Sequence, residues 1–190
     1  MNEKNRCCWC GDIPIYVSYH DNEWGRPAHD DNKLFEMLIL EGAQAGLSWL
    51  TILKKRENYR IAFDGFDPAK VALYGDAKIE ELMTNSGIVR NRLKINAAIA
   101  NAKAFLRIQE EYGSFDKFLW NFVDNKPIVN RLEKMEDFVA TSPISDKISK
   151  DLKKRGMNFV GSTIIYAFMQ AIGMVNDHFI DCFVYEELTS

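Results

Sequence analysis

The sequence contains no apolar run that approaches the ~18 residues of a membrane-spanning helix. Its first ten residues, MNEKNRCCWC, also lack the apolar core of a secretory signal peptide. Both absences argue against an integral membrane protein or an exported one. We therefore expect a cytoplasmic protein that has no membrane partner.

Cysteine and histidine are scarce, with four and three residues respectively. A cytoplasmic chain keeps its cysteines as thiols or metal ligands more often than as disulfides. Cys7, Cys8 and Cys10 crowd the start of the chain, whereas Cys182 lies close to its end. We expect Cys8 to act as a small hydrophobic residue and His29 to lie on the surface.

Charge of either sign is not in large excess, because the formal net charge is only −3. The total does not indicate a nucleic-acid partner, although a single basic face is enough to contact phosphates. With 47% hydrophobic residues the chain has the composition of an ordinary globular protein. Its 190 residues suffice for one domain or for two small lobes that share a core. We expect a monomer without an obligate protein partner.

The alternating pattern of a β-strand is also missing, and no internal repeat is present. Glycine, proline and capping residues instead punctuate segments of helical length, which predicts an all-α fold of about eight to ten short helices. The segments 7–29 and 124–144 are predicted to be irregular. Helices are predicted over about 30–45, 48–63, 68–75, 76–87, 89–112, 114–122, 145–156 and 162–172.

Glu41 lies on the apolar face of one of these predicted helices. It follows Leu34 by seven residues, almost two full turns, whereas Glu36 points to the opposite side. A buried carboxylate without a partner costs several kcal/mol. Either the fold satisfies Glu41 internally, or the helix lines a pocket in which a ligand supplies the partner. The residues that follow, Gly46-Leu47-Ser48-Trp49, favour a shaped cavity wall.

The cysteine and histidine spacing predicts a zinc site. His178 and Cys182 are four residues apart, so they share one face if that segment is helical. Cys7 and His20 are candidates to complete a Cys2His2 set, but Cys10 is a fifth candidate for the four positions, and the spacing does not force the choice of His20. Such a zinc joins the two ends of the chain and is structural, since a catalytic zinc needs an open coordination position.

A basic helix and a glycine turn lie near the end of the chain. Between Lys147 and Arg155 there are five basic residues and one acid, and Gly156 and Gly161 follow. Two short helices joined by such a turn direct backbone amides at a phosphate, and basic residues add salt-sensitive attraction to DNA. The alternative is a solvated basic face. The candidate contacts are Lys153, Lys154, Gly161, Ser162 and Thr163, and Arg90, Arg92 and Lys94 form a second basic cluster.

Several sequence blocks resemble the 3-methyladenine DNA glycosylase I family. They are R-C-x-W from Arg6, Y-H-D-N-E-W-G from Tyr19, L-E-G-x-Q-A-G-L-S-W from Leu40, L-K-K-R-E-N-Y-R from Leu53 and V-N-D-H from Val175. The similarity extends from about residue 6 to residue 182. It implies a compact helix-hairpin-helix glycosylase fold with one structural zinc. It also implies a single domain over residues 1–190 with a base pocket between helical lobes.

The resemblance also implies roles for individual residues. Glu41, Tyr19 and Trp49 are expected to contact the excised base. The turn at Gly46 and Leu47 is expected to enter the duplex where the base has left, and residues 156–163 to form the hairpin. The implied zinc ligands are Cys7, His20, His178 and Cys182, and the implied pocket walls are Trp9, Tyr16 and Trp24.

The chemistry implied by the family fits these residues. Adenine methylated at N3 is cationic, so aromatic faces and one carboxylate attract it in preference to neutral adenine. Bifunctional relatives carry a lysine nucleophile after the hairpin, where this chain has Ser162 and Thr163, which implies hydrolysis without strand cleavage. Asp177 is the nearest counterpart of the superfamily's water-activating aspartate; alternatively, it caps the helix that bears the zinc ligands. The implied partner is alkylated double-stranded DNA.

Two other functions remain open from the residues alone. A zinc-stabilised DNA-binding module without catalysis would use the same hairpin and basic helix. An enzyme for a small cationic metabolite would need only the aromatic pocket and Glu41. Release of free base from methylated DNA separates these possibilities.

Overall fold

The computed structural model describes residues 4–189, and most of them lie in short helices. The predicted all-α class is confirmed, and none of the helices in this range has the length and apolarity to cross a membrane. The α-helices are α1 (Pro14–Asn22), α2 (Asp31–Gln44), α3 (Trp49–Ala62), α4 (Pro68–Val71), α5 (Asp76–Thr84), α6 (Arg92–Tyr112), α7 (Phe115–Trp120), α8 (Pro143–Lys154), α9 (Ser162–Ala171) and α10 (Phe183–Thr189). Short 3-10 helices cover Cys8–Cys10, Asp64–Phe66, Asn121–Val123 and Met135–Asp137.

Capping side chains explain where several helices begin. The Asp30 carboxylate accepts a hydrogen bond from the Lys33 amide at 2.8 Å, and the Ser48 hydroxyl accepts one from Thr51 at 3.2 Å. Each satisfies an amide that the first turn leaves without a partner. The predicted starts of α2 and α3 are therefore confirmed.

Two predictions about the helices are wrong. The segment 7–29 is not irregular throughout, because α1 occupies its centre and begins with Pro14 at its first turn. α8 begins at Pro143 instead of Ser145, because Ser142 is its cap. The Ser142 hydroxyl accepts from the Ser145 amide at 3.1 Å, and the Ser145 hydroxyl accepts from the Ser142 amide at 2.8 Å. Ser145 is thus the third residue of a capping box.

The structure also contains a small parallel strand pair that the sequence pattern does not indicate. β1 (Ile128–Val129) pairs with β2 (Val175–Asn176), and Leu132 forms a further bridge with Phe179. Two-residue strands are too short to show alternation. The chain after β2 follows an extended and turned path, so the condition that His178 and Cys182 lie on one helix is not met.

α2 is the central helix of the core. All ten residues from Leu34 to Ala43 are buried, and α3, α6 and α9 pack around them. A helix that is enclosed on every side normally carries apolar residues throughout. α2 nevertheless carries two buried carboxylates, Glu36 and Glu41.

Glu36 is neutralised by arginine. The Arg56 Nε lies 2.8 Å from its carboxylate and Arg60 lies 2.7 Å away, while Arg56 also pairs with Glu23 at 2.9 Å. The Arg56 side chain is only 13% exposed, so this arginine is part of the protein interior even though it belongs to the basic run Lys54-Lys55-Arg56. Burial opposes ionisation of Glu23, but hydrogen bonds from Arg56 and Lys33 prevail and lower its pKa to about 2.

Close backbone contacts fix the segment after α1 against the end of α9. The Gly25 amide donates to the Gln170 carbonyl at 2.9 Å, and the Ala28 amide donates to Ile172 at 3.0 Å. A Cβ atom at Gly173 would lie 2.2 Å from the Arg26 carbonyl carbon, so only glycine fits there. This contact brings the end of α1 beside the residues that follow β2.

Candidate functional site: an aromatic pocket and a cysteine–histidine cluster

Glu41 lies in the wall of a pocket with a volume of about 210 Å³. Five of the aromatic side chains that line this pocket are residues that the resemblance implied. α1 supplies two of them, and the others come from the chain on either side of α1 and from the first residue of α3. They are Trp9, Tyr16, Tyr19, Trp24 and Trp49.

The aromatic rings support one another. The Trp9 ring lies 5.2 Å from that of Tyr16 and 4.7 Å from that of Trp24, and Tyr19 lies 5.3 Å from Trp49. These are ordinary separations for edge-on and tilted ring pairs. The pocket is therefore a packed aromatic wall around one acidic group.

The Glu41 carboxylate has no hydrogen-bond or ion-pair partner in residues 4–189, although the residue is only 4% exposed. Burial raises its pKa to about 8. The indole N–H groups of Trp9 and Trp49 are also buried without an acceptor in this part of the chain. Because buried polar groups are normally paired, these three groups indicate a polar ligand in the pocket.

Sequence reasoning missed five further residues that line the pocket. Gln44 follows Glu41 by three residues on α2, so helical spacing was a sufficient signal for it. Met135 and Phe138 come from the segment that lacks a pattern, and nothing in the sequence indicates them. Ala167 and Gln170 lie one turn apart on α9 and complete the wall.

A groove of about 220 Å³ adjoins the pocket and shares Glu41, Gln44 and Ala167 with it. One rim is the turn after α2, where Gly46 has a φ of 79° and Leu47 is 42% exposed. The other rim is the first turn of α9, including Thr163. The predicted turn and the predicted hairpin therefore face each other across one cleft that leads to Glu41.

The segment between α8 and α9 is a tight hairpin. The Ser149 hydroxyl donates to the Val160 carbonyl at 2.7 Å, and the Ser145 and Ser162 hydroxyls lie 2.8 Å apart. No side chain caps the start of α9 at Gly161, so its first amides remain available to an anion. Lys153 and Lys154 are exposed at the end of α8.

Lys94 points inward and does not join Arg90 and Arg92 in the basic surface cluster that the sequence predicts. Its ammonium donates hydrogen bonds of 2.7 Å to the carbonyls of both Ala43 and Ala45. These carbonyls belong to the C-terminal end of α2, where a positive charge also interacts favourably with the negative end of the helix dipole. Arg92 instead pairs with Glu80 at 2.8 Å on the surface.

Asp177 lies outside the lining of the aromatic pocket and is 1% exposed. Its carboxylate accepts hydrogen bonds from Asn130 at 2.7 Å, Tyr166 at 2.9 Å and Gln170 at 2.7 Å. The suggestion that it caps a metal-bearing helix is wrong, because residues 178–182 are not helical. The carboxylate is instead the centre of a buried hydrogen-bond network.

Cys7, His20, His178 and Cys182 form a buried cluster whose ligand atoms all lie within 4.8 Å of one another. His178 Nδ1 lies 3.5 Å from the Cys7 sulfur and 3.6 Å from the Cys182 sulfur, and His20 Nε2 lies 3.5 Å from Cys182. A tetrahedral zinc site with Zn–S near 2.3 Å and Zn–N near 2.0 Å has S···N edges of roughly 3.5 Å. The donor set therefore fits a metal ion of this kind. Cys8, by contrast, is exposed, which corrects its assignment as a small hydrophobic residue.

Hydrogen bonds behind the cluster orient both imidazoles. His20 Nδ1 lies 2.8 Å from the Asp21 carboxylate, and His178 Nε2 lies 3.0 Å from the Trp24 carbonyl. Each contact takes the N–H of one ring nitrogen, so the other nitrogen faces the cluster as a lone pair. Trp24 thus belongs to the pocket wall and also supports the cluster.

The fold closely matches solved structures. A crystal structure of 3-methyladenine DNA glycosylase I superposes with a TM-score of 0.92 at 51% identity, covering 94% of this chain and 98% of that chain. The Staphylococcus aureus enzyme, in a structure describing its recognition of 3-methyladenine, gives a TM-score of 0.91 at 42% identity, with 94% and 95% covered. These matches place the chain in the class of DNA glycosylases.

Sequence comparison narrows the assignment. The chain is 51% identical over 180 residues to DNA-3-methyladenine glycosylase 1 of Escherichia coli (strain K12), covering 95% of this chain and 96% of the relative. It is 50% identical over 177 residues to DNA-3-methyladenine glycosylase of Haemophilus influenzae, with 93% and 96% covered. The methyladenine glycosylase family model matches residues 9–185, and the chain belongs to this family. The resemblance drawn from the sequence blocks is confirmed.

Proposed function

We propose that this protein is a monofunctional repair glycosylase that hydrolyses the N-glycosidic bond of 3-methyladenine in alkylated double-stranded DNA. The observation that carries the proposal is the unpartnered Glu41 carboxylate inside an aromatic pocket. The names of the relatives from E. coli and H. influenzae support the same substrate.

Recognition rests on charge and stacking. Methylation at N3 makes the base cationic, and the rings of Trp9, Tyr19 and Trp49 attract a flat cation. Glu41 pairs with the N–H edge of that base, and Tyr16 and Trp24 close the pocket. Neutral adenine provides no charge to offset the cost of ionising Glu41, so it is rejected. Glu41 therefore acts mainly in recognition and charge stabilisation, and proton transfer is secondary.

Hydrolysis needs little acid catalysis because the leaving base already carries a positive charge. Water attacks C1′ of the sugar, the C1′–N9 bond breaks, and its electron pair leaves with the base, which becomes neutral. The attacking water loses a proton to solvent. Flipping the nucleotide and holding it out of water in the pocket supply most of the acceleration.

DNA is held on both rims of the groove. The hairpin before α9 acts as a helix-hairpin-helix element, in which amides of Gly161, Ser162 and Thr163 bind a phosphate. Lys153 and Lys154 add nonspecific attraction. At the opposite rim, the turn at Gly46 places Leu47 in the gap left by the flipped nucleotide.

The cysteine–histidine cluster fits one structural Zn²⁺ held by Cys7, His20, His178 and Cys182. Four protein ligands leave no open position, so the ion holds the ends of the chain together and takes no part in the reaction. The protein acts as a single domain and as a monomer.

The test is incubation of the purified protein with duplex DNA treated with a methylating agent, followed by chromatography of the released bases. Free 3-methyladenine is expected, and the strand is expected to stay intact until heat or alkali cleaves the abasic site. Salt-dependent DNA binding without base release would contradict the proposal and indicate a binding module. Nicked strand without heat or alkali would contradict the absence of lyase activity.

Lys94→Met is expected to lower excision from duplex DNA roughly tenfold, because the carbonyls at the end of α2 lose their cap and the Leu47 turn moves. Excision from single-stranded DNA is expected to change little, since no opposite strand has to be displaced. Kinetics on both substrates measure the difference.

Arg92→Met is the matched control. Arg92 lies two residues from Lys94 in the sequence, and its substitution removes the same charge, but from an ion pair with Glu80 on the surface. It is expected to leave both rates unchanged, and Lys94→Arg is expected to restore part of the duplex rate. An equal loss on both substrates in Lys94→Met would assign Lys94 a purely structural role.

A further inference from the structure

The network around Asp177 fixes the orientation of a side chain in the base pocket. Asp177 accepts hydrogen bonds from the side-chain amides of Asn130 and Gln170 and from the Tyr166 hydroxyl. A side-chain amide donates only through its NH₂ group, and its oxygen only accepts. The amide nitrogen of Gln170, 2.7 Å from Asp177, must therefore face the carboxylate.

The other end of the same amide follows from this. With its NH₂ group held by Asp177, Gln170 has its carbonyl oxygen Oε1 as the remaining polar atom. No hydrogen-bond donor in residues 4–189 reaches that oxygen. Gln170 lines the pocket together with Ala167 on α9, which packs against the helix that carries Glu41. The pocket therefore contains a second acceptor besides Glu41, and its orientation is set from outside the pocket.

We propose that Gln170 is a specificity-determining residue whose carbonyl oxygen, oriented by Asp177, selects alkylated bases with an amino group at C6 over bases with an oxygen there. The proposal rests on the proposed function and concerns its substrate range. Adenine presents a donor at this position, whereas guanine presents an acceptor. Oε1 accepts a hydrogen bond from the amino group of 3-methyladenine, whereas it repels the O6 atom of 3-methylguanine.

Geometry makes this discrimination effective. A side-chain amide that is free to rotate offers either a donor or an acceptor, so it does not distinguish the two bases. Asp177 removes that freedom, because a flipped amide would place Oε1 against a carboxylate. A buried acceptor that faces another acceptor loses its hydrogen bond, and sites of this kind reject the wrong analogue strongly.

The test uses one duplex substrate that contains both 3-methyladenine and 3-methylguanine. Because the two bases compete in the same tube, the ratio of their initial release rates, divided by the ratio of their amounts in the duplex, gives the ratio of the two kcat/KM values. Gln170→Met is expected to lower the preference for 3-methyladenine about tenfold, since it removes the acceptor and keeps the volume. Asp177→Asn is expected to lower it similarly, because the new amide allows Gln170 to flip.

Tyr166→Phe is the matched control. It removes a different hydrogen bond to Asp177 and leaves the Gln170 amide oriented, so the ratio is expected to equal that of the unmodified protein. The metal content and melting temperature of each variant confirm that the neighbouring cluster is intact. If both release rates fall equally in Gln170→Met and Asp177→Asn, or the ratio stays unchanged, the proposal is overturned. Failure of the proposed function has a different signature, since the unmodified protein would then release no 3-methyladenine.

Discussion

Glu41→Gln is expected to lower kcat/KM for release of 3-methyladenine about a hundredfold at pH 8. The substitution removes the negative charge that pairs with the cationic base and directs an NH₂ group at the base N–H edge.

The unmodified enzyme is expected to gain activity as the pH rises from 6 to 8. Glu41 in the empty pocket is protonated below a pKa of about 8, and a proton competes with the base for the carboxylate. Release rates measured across this pH range should rise with pH in the unmodified enzyme and should not show this rise in Glu41→Gln.

The stability of the same variant separates lost recognition from misfolding. Burial raises the pKa of Glu41 from 4.5 to about 8, so the folded protein holds a proton that the unfolded chain has released between these values. The free energy of unfolding therefore falls as the pH rises from about 4.5 to about 8, by at most about 3 kcal/mol at pH 7. Glu41→Gln removes this penalty, so its melting temperature at pH 8 should be equal or higher. Excision and binding near the unmodified level would refute the role assigned to Glu41.

Cys182→Ser is expected to lower the melting temperature by about 10 °C and to abolish stoichiometric metal binding. The cluster joins residues from both ends of the chain, and losing such a cross-link costs roughly 2–5 kcal/mol. Metal analysis of the purified protein should give one zinc per chain, and prolonged chelation should reproduce the loss of stability. Circular dichroism during heating measures the melting temperature of Cys182→Ser and that of the chelated protein.

Cys8→Ser is the matched control because Cys8 is exposed and lies outside the cluster. It should retain one metal per chain and an unchanged melting temperature. A protein purified without metal, with Cys182→Ser as stable as the unmodified chain, would contradict the structural role of the cluster.

Local chemistry explains which parts of the fold are predictable from the sequence. Asp30 and Ser48 cap the helices that follow them, because a capping hydrogen bond involves neighbours within three residues. α1 escapes detection because its buried residues, Tyr19 and His20, are aromatic and polar and do not form an aliphatic stripe. β1 and β2 depend on pairing between distant segments, which no local pattern records.

The site divides in the same way. The burial of Glu41 follows from its spacing within α2, and the same spacing places Gln44 beside it. The contact of Gln170 with Asp177 and the inward turn of Lys94 depend on how separate elements pack, so they emerge only from the structure. The closeness of His178 and Cys182 was predicted for the wrong reason, since a turn brings them together in place of a helix.

The cluster of Cys7, His20, His178 and Cys182 changes the topology of the chain when a metal is bound. Two ligands lie near each end, so the backbone between His20 and His178 becomes a ring closed at one ion. A protease cut in an exposed loop of this ring would leave both fragments attached to each other. The walls of the pocket come from both sides of most such cuts. The metal would therefore hold the two fragments that form the pocket together in a nicked molecule.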